Sequence, residues 1–139
     1  MEAAGLVHRD LSERVIGAFY DTCNALGHGF LESVCENAFA IRLEQCGLAV
    51  RRQQPVVVRY RGQVVGEFRA DLLVADVLLV GIKAVSTLMA IHEAQLMNYL
   101  KATGIRLGLL VNFGPSPQFR RRIRQGLMLH PCLSVFIRG

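Results

Sequence analysis

Asp71 and Lys83 are the residues whose surroundings ask for a chemical explanation. They sit within residues 69–85, RADLLVADVLLVGIKAV, two apolar β-runs joined at Ala75-Asp76. An unpaired charge in a buried strand is strongly unfavourable, so each must be paired, hydrogen-bonded, bound to metal or facing a cleft. The hairpin is therefore the expected floor of a site. Side chains alternate faces along a strand, and directly opposed residues share a face. Positions 81 and 83 share one face, and Asp71 joins them only by pairing across from 81 or 83. That requires an odd loop over Ala75, Asp76 and Val77 in place of a two-residue turn. With Asp71 opposite position 81, its carboxylate and the Lys83 ammonium look into one cavity. This is a metal-site geometry short of one carboxylate, because position 81 is Gly.

The elements that must position these groups follow in chain order. Asp10-Leu11-Ser12-Glu13 has the form of a capping box, and Leu11, Val15, Phe19, Cys23 and Leu26 recur at helical spacing, which predicts a first helix to about residue 25. Gly27-His28-Gly29 breaks it. A second helix is expected over 31–46, closed by Gly47, with Glu32 in its opening turn, where a carboxylate is favoured by the helix N-terminus. Strand character begins after Leu48: 55–60 is β-rich, 61–63 reads as a turn, and 64–74 leads into the central hairpin. Arg59, Arg61, Glu67, Arg69 and Asp71 fall on alternate positions and predict one polar face along both strands. Such a face is often simply solvated, but Arg59 and Arg61 are also candidates for phosphate contact. Residues 89–102 read as a helix ending before Gly104. Gln95 and Tyr99 share one of its faces, with His92 a turn earlier. A short buried strand over 107–111 follows, in the pattern of a parallel crossover. Residues 112–117 form a loop. Arg120, Arg121, Arg122 and Arg124 make a basic cluster, and 133–137 is a candidate last strand.

Composition bounds the function classes. At 139 residues the chain suits one domain over 1–139, and 52% hydrophobic with 19% charged residues describes a folded protein. No apolar run reaches the ~18 residues of a spanning helix and no hydrophobic signal core opens the chain. The expectation is a cytoplasmic protein that does not enter a membrane. A net charge of +5 makes polyanions plausible partners, and phosphate binding through the arginine cluster would weaken steeply with salt. Cys23, Cys35, Cys46 and Cys132 form no CxxC pair, so reduced buried thiols are expected ahead of an iron-sulfur cluster.

The residues also carry a family resemblance. Gly29-Phe30-Leu31-Glu32-Ser33-Val34-Cys35, Arg69-Ala70-Asp71-Leu72-Leu73, Gly81-Ile82-Lys83-Ala84, the stretch from His92 through Gln95 and Tyr99 to Leu100, and the stretch from Gly108 to Gly114 resemble, in order, the PD-(D/E)XK nuclease superfamily, close to its GxxExxY group. Gln95-x-x-x-Tyr99 is similar to the extra motif of nucleases of the RecB and lambda-exonuclease groups. The resemblance implies a restriction-endonuclease-like α/β fold with an αβββαβ core and a mixed central sheet flanked by helices. It implies a catalytic set of Glu32, Asp71, Lys83, Gln95 and Tyr99, with Glu32 and Asp71 as ligands of Mg²⁺ or Mn²⁺. Gln95 would orient a metal ligand or water, and Tyr99 would contact a phosphate. The implied partner is nucleic acid, DNA ahead of RNA, with homo-oligomerisation left open.

Two departures matter. Cys35 stands where the GxxExxY motif has Tyr, and Gly81 stands where the E-x-K pair has its acidic residue. A complete site would hydrolyse phosphodiesters, the metal polarising the phosphate and activating water while Lys83 positions that water or stabilises developing charge. Without a carboxylate at 81 the site should bind metal weakly or not at all. Asp76 belongs to the turn, and Glu67 lies ~13 Å from Asp71 along an extended strand, so neither compensates. The pattern fits an inactivated nuclease, an engineered change, or a site used for binding only.

Overall fold

A computed structural model describes residues 8–125, in the order α1 (Arg9–Leu26), α2 (Glu32–Gln45), β1 (Val50–Tyr60), β2 (Gln63–Val74), β3 (Leu78–Lys83), α3 (Ala90–Thr103), β4 (Leu107–Asn112) and β5 (Gln118–Ile123). The strands form one sheet in the order β1-β2-β3-β4-β5. Only the β3–β4 pairing is parallel, because α3 carries the chain back across the sheet between them. The α2-β1-β2-β3-α3-β4 succession is the expected αβββαβ core, with α1 before it and β5 after it. The strand expected over 133–137 lies outside the described residues, as does Cys132.

Helices cover both faces. On one, Val15, Phe19 and Cys23 of α1 and Cys35, Phe39 and Leu43 of α2 pack on Leu72, Val74, Leu78, Val80 and Ile82, together with Leu107, Leu109 and Val111. Phe19, Phe39 and Phe113 meet in tilted or edge-on contacts with ring centroids 4.9–6.1 Å apart. On the other face α3 sets Leu100 against Val56, Leu73 and Leu79, and Leu96 against Leu110. Gly108 permits this approach, since a Cβ there would lie 3.0–3.1 Å from the Leu96 and Leu100 methyls. α3 ends as expected at Gly104, whose φ of 79° is a left-handed cap. The capping box expected at Asp10 does not form. The N-cap is His8, two residues earlier, and Ser12 instead donates its hydroxyl back to the His8 carbonyl at 3.1 Å.

Candidate active site

The central hairpin has the odd loop that its polar residues demand. Leu72 pairs with Val80, Leu73 with Leu79 and Val74 with Leu78, leaving Ala75, Asp76 and Val77 between the strands. Ala75 and Asp76 both have positive φ, and Val77 N–H closes the turn on the Val74 carbonyl at 3.1 Å. One further step of this register sets Asp71 across from Gly81. Leu78, Val80 and Ile82 face α1 and α2, so Gly81 and Lys83 face α3 with Leu79.

Around this point the structure brings together all six residues named for the site, Glu32 coming from the first turn of α2. A cavity of about 210 Å³ is lined by Glu32, Asp71, Gly81, Lys83, Gln95 and Tyr99. Lys83 Nζ donates to Gln95 Oε1 at 3.2 Å, and Gln95 and Tyr99 line the same cavity. Gln95 thus fixes the ammonium beside the Tyr99 phenol.

Asp71 accepts a 2.6 Å hydrogen bond at Oδ2 from the Ile82 amide. Burial pushes its carboxyl above the ordinary 3.8, and Glu36 and Glu32 add to the rise, while the Ile82 amide and Lys83 oppose it. Burial also raises the Tyr99 phenol, helped by Asp71 and opposed by Gln95. A raised folded pKa means that the native state holds the Asp71 proton more tightly than the unfolded chain. Its stabilising effect is complete below the unfolded value and is lost as pH rises through the folded one. Asp71→Asn keeps an acceptor for the Ile82 amide and removes the buried charge. At neutral pH this variant should therefore be more stable than the unmodified chain, with the gap closing as pH falls through the raised pKa. Urea denaturation at acid and neutral pH reads the difference, and lower stability of Asp71→Asn at neutral pH would contradict it.

Glu36 does not line the cavity, but it acts on Asp71 through its charge, and sequence reasoning passed over it. It is buried, one helical turn beyond Glu32, and accepts from Gln53 Nε2 at 2.8 and 3.0 Å and from Arg52 at 3.5 Å. The i, i+4 spacing of Glu32 and Glu36 was the available signal. Gln53 reaches Glu36 from a backbone φ of 53°, where the β1–β2 pairing skips from Arg52↔Leu72 to Gln54↔Ala70 and leaves Asp71 outside the ladder. Asn112, at the end of β4 beside Lys83, is fully buried. It accepts from the Val85 and Gly114 amides and donates to the Val85 carbonyl.

The arginines named for nucleic acid are dispersed. A register shift between Val58 and Arg59 breaks the polar alternation expected along β1 and β2. Arg59 lines a groove beside α3, in whose wall Glu67 has no part, and Arg61 lies at the hairpin turn over the Tyr60 ring. Residues 120–122 lie within β5, so alternation sends them to opposite faces. Arg120 and Arg122 pair with Glu93 of α3, while Arg121 donates to Ser12 of α1 at 3.0 Å. Arg124 follows β5, its amide bonded to the Arg106 carbonyl. The cluster is contiguous in sequence and divided in space.

The donors present do not complete a site for a divalent cation. One Asp71 oxygen serves the Ile82 amide, both Glu36 oxygens serve β1, and position 81 has no side chain. Among the described residues no group of three or more His, Cys, Asp or Glu side chains is placed to hold a metal ion. The thiols do not change this: Cys23 and Cys35 are buried and free, and burial pushes Cys23 up to about 11.

A mixed five-stranded sheet flanked by helices on both faces is the arrangement of a restriction-endonuclease-like fold. The chain belongs to the PD-(D/E)XK nuclease superfamily, whose family model matches residues 9–125. The crystal structure of SSO0001 is similar in fold, with a TM-score of 0.53 and 16% identity over 74% of this chain and 54% of that one. The chain thus spans about half the length of that protein. Comparison with curated proteins gives no match. No helix among the described residues is long and apolar enough to cross a membrane.

Proposed function

We propose that this domain acts on nucleic acid as a nuclease-type protein whose hydrolytic centre is one carboxylate short, so that its catalysis is impaired or lost. The observation that carries this is the common cavity of Asp71, Lys83, Gln95 and Tyr99, into which position 81 opens without a side chain. Within the superfamily, Gly29, Glu32, Gln95 and Tyr99 favour the GxxExxY group and the RecB-like motif. In the cleft, Lys83 presents a cation to a phosphate, and Gln95 fixes its direction. Tyr99, a phenol in the same cavity, offers a hydroxyl donor to the same phosphate. Asp71 and Glu32 are the groups that would draw Mg²⁺ or Mn²⁺, and with one Asp71 oxygen already held by the Ile82 amide and no third carboxylate at 81 they would bind it weakly. DNA is the favoured substrate.

The test is cleavage of labelled single- and double-stranded DNA and RNA with Mg²⁺ or Mn²⁺, comparing the unmodified chain with Gly81→Glu. Cutting by the variant alone supports the reading. Equal cutting by both would remove the impairment from it, and a folded variant that cuts nothing would leave binding as the function of the cleft.

A further inference from the structure

Beside the small cavity runs a larger groove of about 930 Å³, bounded by the β1–β2 arm on one side and α3 on the other. The two share Lys83, His92, Gln95 and Tyr99, so the groove opens directly onto the site. Its charge is one-sided: Arg59, Lys83 and Lys101 line it, and no Asp or Glu does. Apolar side chains make up part of its wall, with Val57 and Ile91 exposed to solvent. Phe68 projects from β2 with 48% of its surface exposed, and its ring centroid lies 5.9 Å from that of Tyr99 at an inclination of 32°.

Each of these features alone has an ordinary explanation, but together they describe one kind of ligand. A groove lined by cationic side chains and by no carboxylate attracts a polyanion. An apolar wall offers nothing to a phosphate, yet suits the faces of nucleobases. Aromatic rings inclined nearer to parallel than edge-on form a stacking platform, which every base can use once it is unpaired. A duplex hides those faces and presents phosphates, sugars and base edges instead.

We propose that the groove holds single-stranded nucleic acid, with unpaired bases stacked at Phe68 and Tyr99 and the backbone led past Arg59 toward Lys83. This deepens the nuclease-type reading and rests on it for the direction of the strand. It specifies the substrate as a single strand or an unpaired end.

The experiment is fluorescence anisotropy of the full chain in EDTA with a labelled short DNA strand, the RNA strand of the same sequence, and the blunt DNA duplex. One of the single strands should bind roughly 10-fold tighter than the duplex. Phe68→Leu, which keeps an apolar side chain and removes the ring, should weaken that binding by roughly 10-fold while leaving duplex binding and the thermal midpoint unchanged. The two single-strand arms identify the sugar. Equal affinity for strand and duplex, no binding of either strand, or unaltered binding by folded Phe68→Leu would each overturn the proposal. Because no metal is present, the result is independent of cleavage. Strand binding without cutting by Gly81→Glu would keep the groove and remove the hydrolytic reading, and cutting without a strand preference would do the reverse.

Discussion

Gly81→Glu should cut nucleic acid in Mg²⁺ or Mn²⁺ at least about 10²-fold faster than the unmodified chain, the scale on which a single preorganised electrostatic group acts in a closed site. The backbone at 81 is ordinary strand, without the positive φ that would require glycine. A Cβ there meets only the Leu110 Cδ1 methyl, at 3.4 Å, an ordinary contact. Neither a bulge nor a close backbone approach accounts for the glycine, and a side chain fits. The strand aims that side chain at the cavity shared by Asp71 and Lys83. Adding Lys83→Ala to Gly81→Glu should remove the gain, because the phosphate loses its cation.

A second readout does not depend on turnover. Three carboxylates facing one another repel, so metal-free Gly81→Glu should melt at lower temperature than the unmodified chain. Mg²⁺ or Mn²⁺ should raise its midpoint by mass action. A variant whose midpoint ignores the metal and whose activity equals that of the unmodified chain would refute the assignment of position 81.

Asn112→Ala should lower the free energy of unfolding by about 3 kcal/mol, read as a shift of the urea midpoint at constant m-value. Its side chain bonds to both the amide and the carbonyl of Val85, at 2.9 and 2.8 Å, and to the Gly114 amide at 3.1 Å. Truncation leaves three backbone groups without their partners, the Gly114 amide buried and the two Val85 groups half-buried, and each such loss costs about 1 kcal/mol. The same bonds pin the segment that follows Lys83, whose carbonyl accepts from Phe113 at 2.7 Å. The loop cannot move away to accommodate a larger change at this point, since a Cβ on Gly114 would stand 1.9 Å from the Val85 carbonyl oxygen. A shift below about 1 kcal/mol would show that water replaces the amide.

Much of this architecture is legible in the residues. The parity of a strand is unforgiving, so Asp71 and Lys83 could share a cavity only across an odd loop, and a three-residue loop is what Ala75, Asp76 and Val77 form. Helical spacing likewise puts Gln95 and Tyr99 on one face, and Gly104 ends that helix. These are local statements, decided by periodicity and backbone sterics over a few residues.

The rest depended on which elements meet. Arg120, Arg121 and Arg122 look like one basic patch in a row, but within β5 they alternate between Glu93 of α3 and Ser12 of α1. The polar row along β1 and β2 fails for a related reason: a register shift at Val58/Arg59 and a positive φ at Gln53 reset the alternation. Glu36 is held where it acts on Asp71 because β1 crosses α2 and presents Arg52 and Gln53 to it. By itself, then, the sequence determined the layered α/β order, the hairpin parity and the face of α3, because each follows from short-range geometry. Tertiary structure alone decided the sharing of the carboxylates, the division of the arginines and the groove beside Tyr99, because long-range packing brings together residues that no spacing relates.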